Sequence, residues 1–163
     1  MAATIDVIKT YGNSGTPTEV VVTAPGLLST DNDAAPAVSP VTVPGEGTSY
    51  SYECWLRFKC TVAPDNVCEN FKIWSSGVAV GTGLVITVNS IAVDTYVTPV
   101  TTLSAAGTRV DFATKNSAAK VSVVGSLDAE DEKSDFFVFQ LEVLPATAPG
   151  NKSYTCNYSY DES

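Results

Sequence analysis

The longest regular pattern in the chain is an alternation of apolar and polar positions over residues 49–62. The apolar positions are Tyr50, Tyr52, Cys54, Leu56, Phe58, Cys60 and Val62, and the intervening ones are Ser49, Ser51, Glu53, Trp55, Arg57, Lys59 and Thr61. A period of two is typical of an antiparallel strand that has one face on the core and one face toward solvent. The pattern therefore predicts one long strand over 49–62.

A second strand is predicted directly after the first. Residues 63–66, with the sequence APDN, have the composition of a turn. Residues 69–75 then return with Phe71 and Ile73 on the core side, so the two strands are expected to form a hairpin. Cys68 would be out of phase with Phe71 and Ile73 unless a bulge intervenes.

Short segments rich in β-branched and aromatic residues recur along the chain, and helical periodicity is nearly absent. The further predicted strands are 5–8, 19–23, 84–91, 95–98, 109–113, 120–124, 136–144 and 154–160. Short strands joined by Gly- and Pro-rich turns favour a sandwich or barrel. The sequence thus predicts an all-β protein, a single antiparallel β-sandwich over 1–163, for which a jelly roll is one arrangement.

Residues 25–48 interrupt this pattern. Five of the nine prolines fall within the first 44 residues, at Pro17, Pro25, Pro36, Pro40 and Pro44. Without alternation, this stretch is expected to be a Pro-rich extended loop or arm. Two interpretations stay open, a surface linker or an arm that lies on a neighbouring subunit, and the second would place Pro36 and Pro40 at an interface.

The amino-acid composition excludes several classes of function. The chain has 163 residues, 44% of them hydrophobic and 17% charged, which fits one folded domain with its own core. A net charge of −9 repels phosphate backbones, so nucleic acid is not an expected partner. The chain contains no histidine, which excludes Ser-His-Asp, Cys-His and His-metal chemistry. No cofactor or metal is expected.

Carboxylates provide the remaining route to catalysis. Glu53 and Glu142 lie on polar faces of predicted strands and are the candidates for a hydrolase that uses two acids. Most such residues are simply solvated, so we do not expect an enzyme. The dense acidic cluster Asp128, Glu130, Asp131, Glu132 and Asp135 lacks the spacing of an EF-hand and is expected to be a solvated loop.

The four cysteines allow two sets of disulfides. Cys54 and Cys60 are too far apart along one strand to bond each other. The remaining pairings are Cys60–Cys68 with Cys54–Cys156, or Cys54–Cys68 with Cys60–Cys156. Residues 1–6 lack the basic start and apolar run of a secretory signal, and no stretch is long enough to span a bilayer. Synthesis in a cytoplasm and four reduced, buried thiols are therefore expected.

Two tryptophans are predicted on the polar side of the same pair of strands. Exposed aromatic rings on a flat sheet can stack sugar rings, so Trp55 and Trp74 are candidates for a carbohydrate-binding or adhesive module. Arg57 and Lys72 are neighbours whose aliphatic stems could instead cover the two indoles. We expect cover of this kind, and Trp55, Arg57 and Trp74 form the candidate interaction face.

The segments YECWLRFKC (52–60) and CENFKIW (68–74), followed by a glycine-rich turn (77–83), YVTP (96–99) and a Tyr-rich closing strand (154–160), resemble small β-sandwich virion proteins of tailed phages and related viruses. The resemblance covers roughly the C-terminal two thirds of the chain. It implies a capsid-decorating or other structural protein of the virion, made in the host cytoplasm. Its implied partners are the major capsid protein or another virion protein and further copies of itself, with no catalytic residues, no nucleic acid and no membrane.

Overall fold

The computed structural model describes residues 2–35, 37–76 and 80–163. These residues form strands and one turn of 3-10 helix, Phe112–Thr114, so the all-β prediction is confirmed. The strands are β1 (Thr4–Tyr11), β2 (Thr18–Val21), β3 (Ser49–Tyr50), β4 (Cys54–Val62), β5 (Cys68–Ser75), β6 (Leu84–Asn89), β7 (Arg109–Asp111), β8 (Val121–Ser122), β9 (Phe137–Val143) and β10 (Cys156–Glu162).

The strands divide unequally between two antiparallel sheets. The large sheet has seven strands in the order β2-β1-β4-β9-β6-β7, with β3 also paired to β9. The small sheet has three strands in the order β10-β5-β8. A common core joins the two sheets, which confirms the sandwich. A jelly roll has eight strands, and this division into seven and three differs from it.

Aromatic side chains from both sheets fill the centre of the core. Phe58 on β4 is fully buried and stacks on Phe71 of β5, with ring centroids 4.9 Å apart. Phe137 on β9 lies 5.1 Å from Phe58 by the same measure. Of the core positions predicted by alternation, Cys54, Leu56, Phe58, Cys60, Phe71 and Ile73 are buried. The prediction fails at the ends of the pattern, where Tyr50 and Tyr52 are half-buried and Val62, the last residue of β4, is exposed.

The hairpin predicted for β4 and β5 is wrong. β4 pairs with β1 and β9 in the large sheet, whereas β5 pairs with β10 and β8 in the small one. The turn at 63–66 therefore crosses from one sheet to the other. Alternation specifies which face of a strand is apolar and leaves its pairing partner open. The bulge is present, because β5 advances three residues, from Glu69 to Lys72, where its partner β10 advances two. Asn70 lies within it with φ of 56°, and both Cys68 and Phe71 are buried.

The single strand predicted over 49–62 is interrupted at 51–53. The hydroxyl of Ser51 accepts the backbone N–H of Leu141 at 3.0 Å, and this side chain takes the place of a backbone acceptor in the ladder. The next two amides point to loops: Tyr52 N–H donates to the carbonyl of Leu28, and Glu53 N–H to that of Val100. β3 and β4 thus run along β9 as separate strands.

The strand predicted over 95–98 is also wrong, because this part of the chain is a loop that covers the large sheet. Tyr96 packs its ring against Trp55, with centroids 5.3 Å apart, and donates its hydroxyl to the carbonyl of Gly12 at 2.7 Å. β-branched and aromatic residues favour strands. In this loop, however, the aromatic ring of Tyr96 packs against the large sheet without any strand pairing.

Residues 25–48 contain no strand before β3 in their described part, as expected for a loop. This part is attached to its own domain. Lys9, only 3% exposed, donates its ammonium to the carbonyl of Asn32 at 2.6 Å, and Asp31 accepts the N–H of Gly12 at 2.7 Å. Pro40 is exposed, and Pro36 lies outside the described residues.

Candidate functional site

A long segment, residues 90–108, covers the outer face of the large sheet; we call it the cover segment. Strand alternation places Trp55, Val138 and Gln140 on this face, opposite the core. All three are nevertheless buried, at 1%, 4% and 1% exposed. Trp55, Phe136 and Val138 form a second apolar cluster, against which Tyr96 of the cover segment packs. The outer face is therefore a second buried layer instead of a solvated surface.

Glu53 is the main polar link between the sheet and the cover segment. Its carboxylate is 4% exposed and accepts three hydrogen bonds. The indole N–H of Trp55 and the backbone N–H of Val100 donate to Oε2 at 3.2 and 3.3 Å. The hydroxyl of Ser104 donates to Oε1. A buried carboxylate requires such donors to replace its lost hydration, and here two of the three donors belong to the cover segment.

Two buried amide side chains complete this attachment. Gln140 accepts the N–H of Ser104 at 3.0 Å and donates to the carbonyl of Thr102 at 2.7 Å. Asn89 donates to the carbonyl of Ile91 at 2.6 Å and accepts the N–H of Val138. Sequence reasoning missed Gln140, Asn89 and Ser104. A signal existed for Gln140, which is a lone amide inside the apolar run FFVFQLEV and needs partners if the run is buried.

Four apolar side chains of the cover segment are exposed to solvent. Ile91 is 56% exposed, Val97 49%, Val100 40% and Leu103 57%. Exposed apolar side chains that cluster on one surface of a monomer indicate an interaction site. Here they belong to one segment that buried hydrogen bonds fix from beneath.

The structure does not bring Trp55 and Trp74 together as an exposed platform. Trp55 is buried edge-on between Tyr96 and Phe136, at 5.3 Å from each ring centroid, so it cannot stack a sugar at the surface. Trp74 lies half-buried on the small sheet, with the ammonium of Lys120 4.1 Å above its ring.

Trp55 is covered, as expected, and its cover includes Tyr96 and Phe136. The guanidinium of Arg57 lies 4.5 Å from the centroid of the Phe136 ring, and the ammonium of Lys72 donates to the hydroxyl of Ser122. Arg57 also forms an ion pair with Glu19, which bonds Lys133 at 2.6 Å. Burial by itself raises the pKa of Glu19, but the hydrogen bonds from Lys133 and Arg57 outweigh it and lower the pKa.

The second candidate catalytic carboxylate also has a partner. Glu142 forms an ion pair with Arg109, whose guanidinium donates to the hydroxyl of Thr87 at 2.8 Å. Both candidate acids are thus engaged by side chains of their own sheet or its cover.

The acidic cluster 128–135 is organised as a turn. Glu132 accepts the backbone N–H groups of Asp128 and Ala129 at 2.6 and 3.1 Å, and these hydrogen bonds lower its pKa. Asp131 pairs with Lys59 at 2.5 Å, and this hydrogen bond lowers the pKa of Asp131. Across 2–35, 37–76 and 80–163, no three His, Cys, Asp or Glu side chains are placed to hold a metal ion.

All four cysteines are free thiols, as expected, and neither set of disulfides is formed. Cys54, Cys60 and Cys68 are buried. The expectation of burial is wrong for Cys156, which is exposed because β10 is an edge strand. Although the residue as a whole is exposed, Cys156 lines the space between the sheets, and the partial loss of hydration there raises the pKa of its thiol to about 12. Burial raises the pKa of Cys54 to about 11.

We expect the native, reduced protein to react slowly with a colorimetric disulfide reagent at neutral pH, because thiolate is the nucleophile and burial disfavours it. After denaturation all four thiols should react quickly. Fast stoichiometric reaction of the native protein would contradict this placement. A mass lower by four hydrogens in material kept from air would instead show two disulfides.

No helix in the described part of the chain is long and apolar enough to cross a membrane. Comparison of the chain with protein-family models, with curated proteins and with solved structures gives no match.

Proposed function

We propose that this protein is a non-enzymatic structural protein of a virion, a capsid-decorating protein that binds the capsid lattice and further copies of itself. The observation that carries the proposal is the cover segment. It presents Ile91, Val97, Val100 and Leu103 to solvent while buried hydrogen bonds to Glu53 and Gln140 hold its backbone.

A fixed apolar surface suits binding to another protein. Side chains and loops that become ordered on binding reduce affinity, and a segment that is already ordered avoids most of this cost. Burial of exposed apolar area then contributes directly to association. In a lattice, many such contacts act together, so each contact can be weak.

The contacts of the two candidate catalytic acids also support a structural role. Glu53 and Glu142, the two candidate catalytic acids, bond Ser104 and Arg109. With no histidine in the chain, neither acid has the usual partner for proton transfer at neutral pH. The net charge of −9 favours a protein partner over the packaged nucleic acid.

The experiment is co-sedimentation of purified protein with source particles that lack it. The double variant Val97→Asp/Leu103→Asp should weaken binding about tenfold or more, since it places two charges on the proposed contact. The matched control is Val38→Asp, because Val38 is 74% exposed and lies in the 25–48 loop. Thermal unfolding should be unchanged in both variants.

Unchanged particle binding by the Val97/Leu103 variant would contradict the assignment of this surface. Loss of binding in the Val38 variant alone would move the contact to the loop at 25–48. Wild-type protein that does not sediment with the particles would overturn the proposed function itself.

A further inference from the structure

The small sheet leaves part of the large sheet's inner face without a partner. Neighbouring strands lie about 4.8 Å apart, so three strands cannot cover a sheet of seven. Residues 23–27, 37–43 and 147–156 lie over the remainder, and between them and the sheet is a cavity of about 800 Å³. Sites for small ligands are typically about 300–1,000 Å³ and mostly apolar.

The residues that line this cavity are mostly apolar, and few of them carry a charge. Its floor is the inner face of the large sheet, including the buried side chains of Cys54, Ile86 and Phe139. Its other leucine and valine lining residues are Leu27, Val41, Val43, Val80, Leu84, Leu141 and Val143. The chain has 18 acidic residues, yet no Asp or Glu is among the described residues that line the cavity. The one cation among these lining residues is Lys152, which is exposed.

We infer that this cavity binds a single-chain anionic amphiphile, a long-chain carboxylate. The alkyl chain would lie on Ile86 and Phe139, where each methylene removed from water favours binding. The carboxylate would stay at the mouth beside Lys152 and keep part of its hydration. The absence of acidic lining residues removes the repulsion that an anion meets over most of this protein's surface.

The test is isothermal titration calorimetry with two probes of equal chain length, dodecanoate and dodecanol, below their aggregation concentrations. Dodecanoate should bind with a saturable one-to-one stoichiometry and more tightly than dodecanol. Lys152→Gln should weaken dodecanoate binding several-fold and leave dodecanol binding unchanged. Bound dodecanoate should also slow the reaction of Cys54 and Cys156 with thiol reagents, since both residues line the cavity.

A filling variant locates the ligand. Val43→Trp, inside the cavity, should abolish binding, whereas Val38→Trp, on the same loop and outside the cavity lining, should not. If Val43→Trp lowers the melting temperature, Ala148→Trp at an exposed lining position gives the same test.

Absence of saturable binding, or equal binding by the filling variant and its control, would overturn the inference. Equal affinity for both probes with no effect of Lys152→Gln would overturn the assignment of an anionic head group. Flotation with dioleoylphosphatidylglycerol vesicles without binding of monomeric dodecanoate would point to membrane lipid and contradict a free carboxylate. These results are independent of particle binding, which concerns the opposite face of the large sheet.

Discussion

Truncation of Phe58 to alanine should lower the free energy of unfolding by about 3–5 kcal/mol, the usual cost of removing a buried aromatic side chain. Phe58 is fully buried and contacts rings from both sheets, Phe71 and Phe137 among them. Its loss would leave a cavity where the sheets meet, and the surrounding rings can close it only in part.

Reversible denaturation of the Phe58→Ala protein measures this effect. Val62→Ala is the control on the same strand, because Val62 is 37% exposed and should cost about 0.5 kcal/mol or less. A loss below about 1 kcal/mol for Phe58→Ala would contradict its position between the sheets.

Glu53→Ala should have the second largest effect, a loss of about 3 kcal/mol, because it leaves buried donors without an acceptor. The donors are the indole of Trp55, the hydroxyl of Ser104 and the N–H of Val100. Glu53→Gln keeps one carbonyl oxygen as an acceptor and should cost less.

Hydrogen exchange separates this role from a general loss of stability. The amide of Val100 should exchange faster in Glu53→Ala, while amides of the small sheet keep their rates under conditions where global unfolding is negligible. Glu130→Ala, at an exposed carboxylate, is the control and should change neither stability nor exchange. Unchanged exchange at Val100 in Glu53→Ala would show that Glu53 does not hold the cover segment.

Much of the fold follows from local pattern. The alternation predicts the buried positions from Cys54 to Cys60 and those at 71 and 73 correctly, because the period of a strand sets which side chains share a face. It fails for Tyr50, Tyr52 and Val62, which lie toward the ends of the pattern. The sequence left open whether a bulge brings Cys68 into phase with Phe71, and the structure has one at Asn70. The strand boundaries differ from prediction by a few residues, as at β8, where two of the five predicted residues form the strand.

The pairing of β5 and the burial of the outer face could not be predicted from such patterns. Both depend on contacts between residues far apart in the chain, such as Glu53 with Ser104 and Gln140 with Thr102. Trp55 was placed on a polar face correctly and expected to have a cover, but its contact with Tyr96 depends on the path of a loop. The exposed apolar residues of the cover segment could be recognised as a fixed surface only after the hydrogen bonds that hold the segment were known.

Cryo-electron microscopy of purified source particles tests the proposed function most directly. The account predicts density for the seven- and three-stranded sandwich at regular positions on the capsid, with Val97 and Leu103 of the cover segment against the lattice. Particles that carry this protein with the cover segment facing solvent, or particles without the protein, would contradict it.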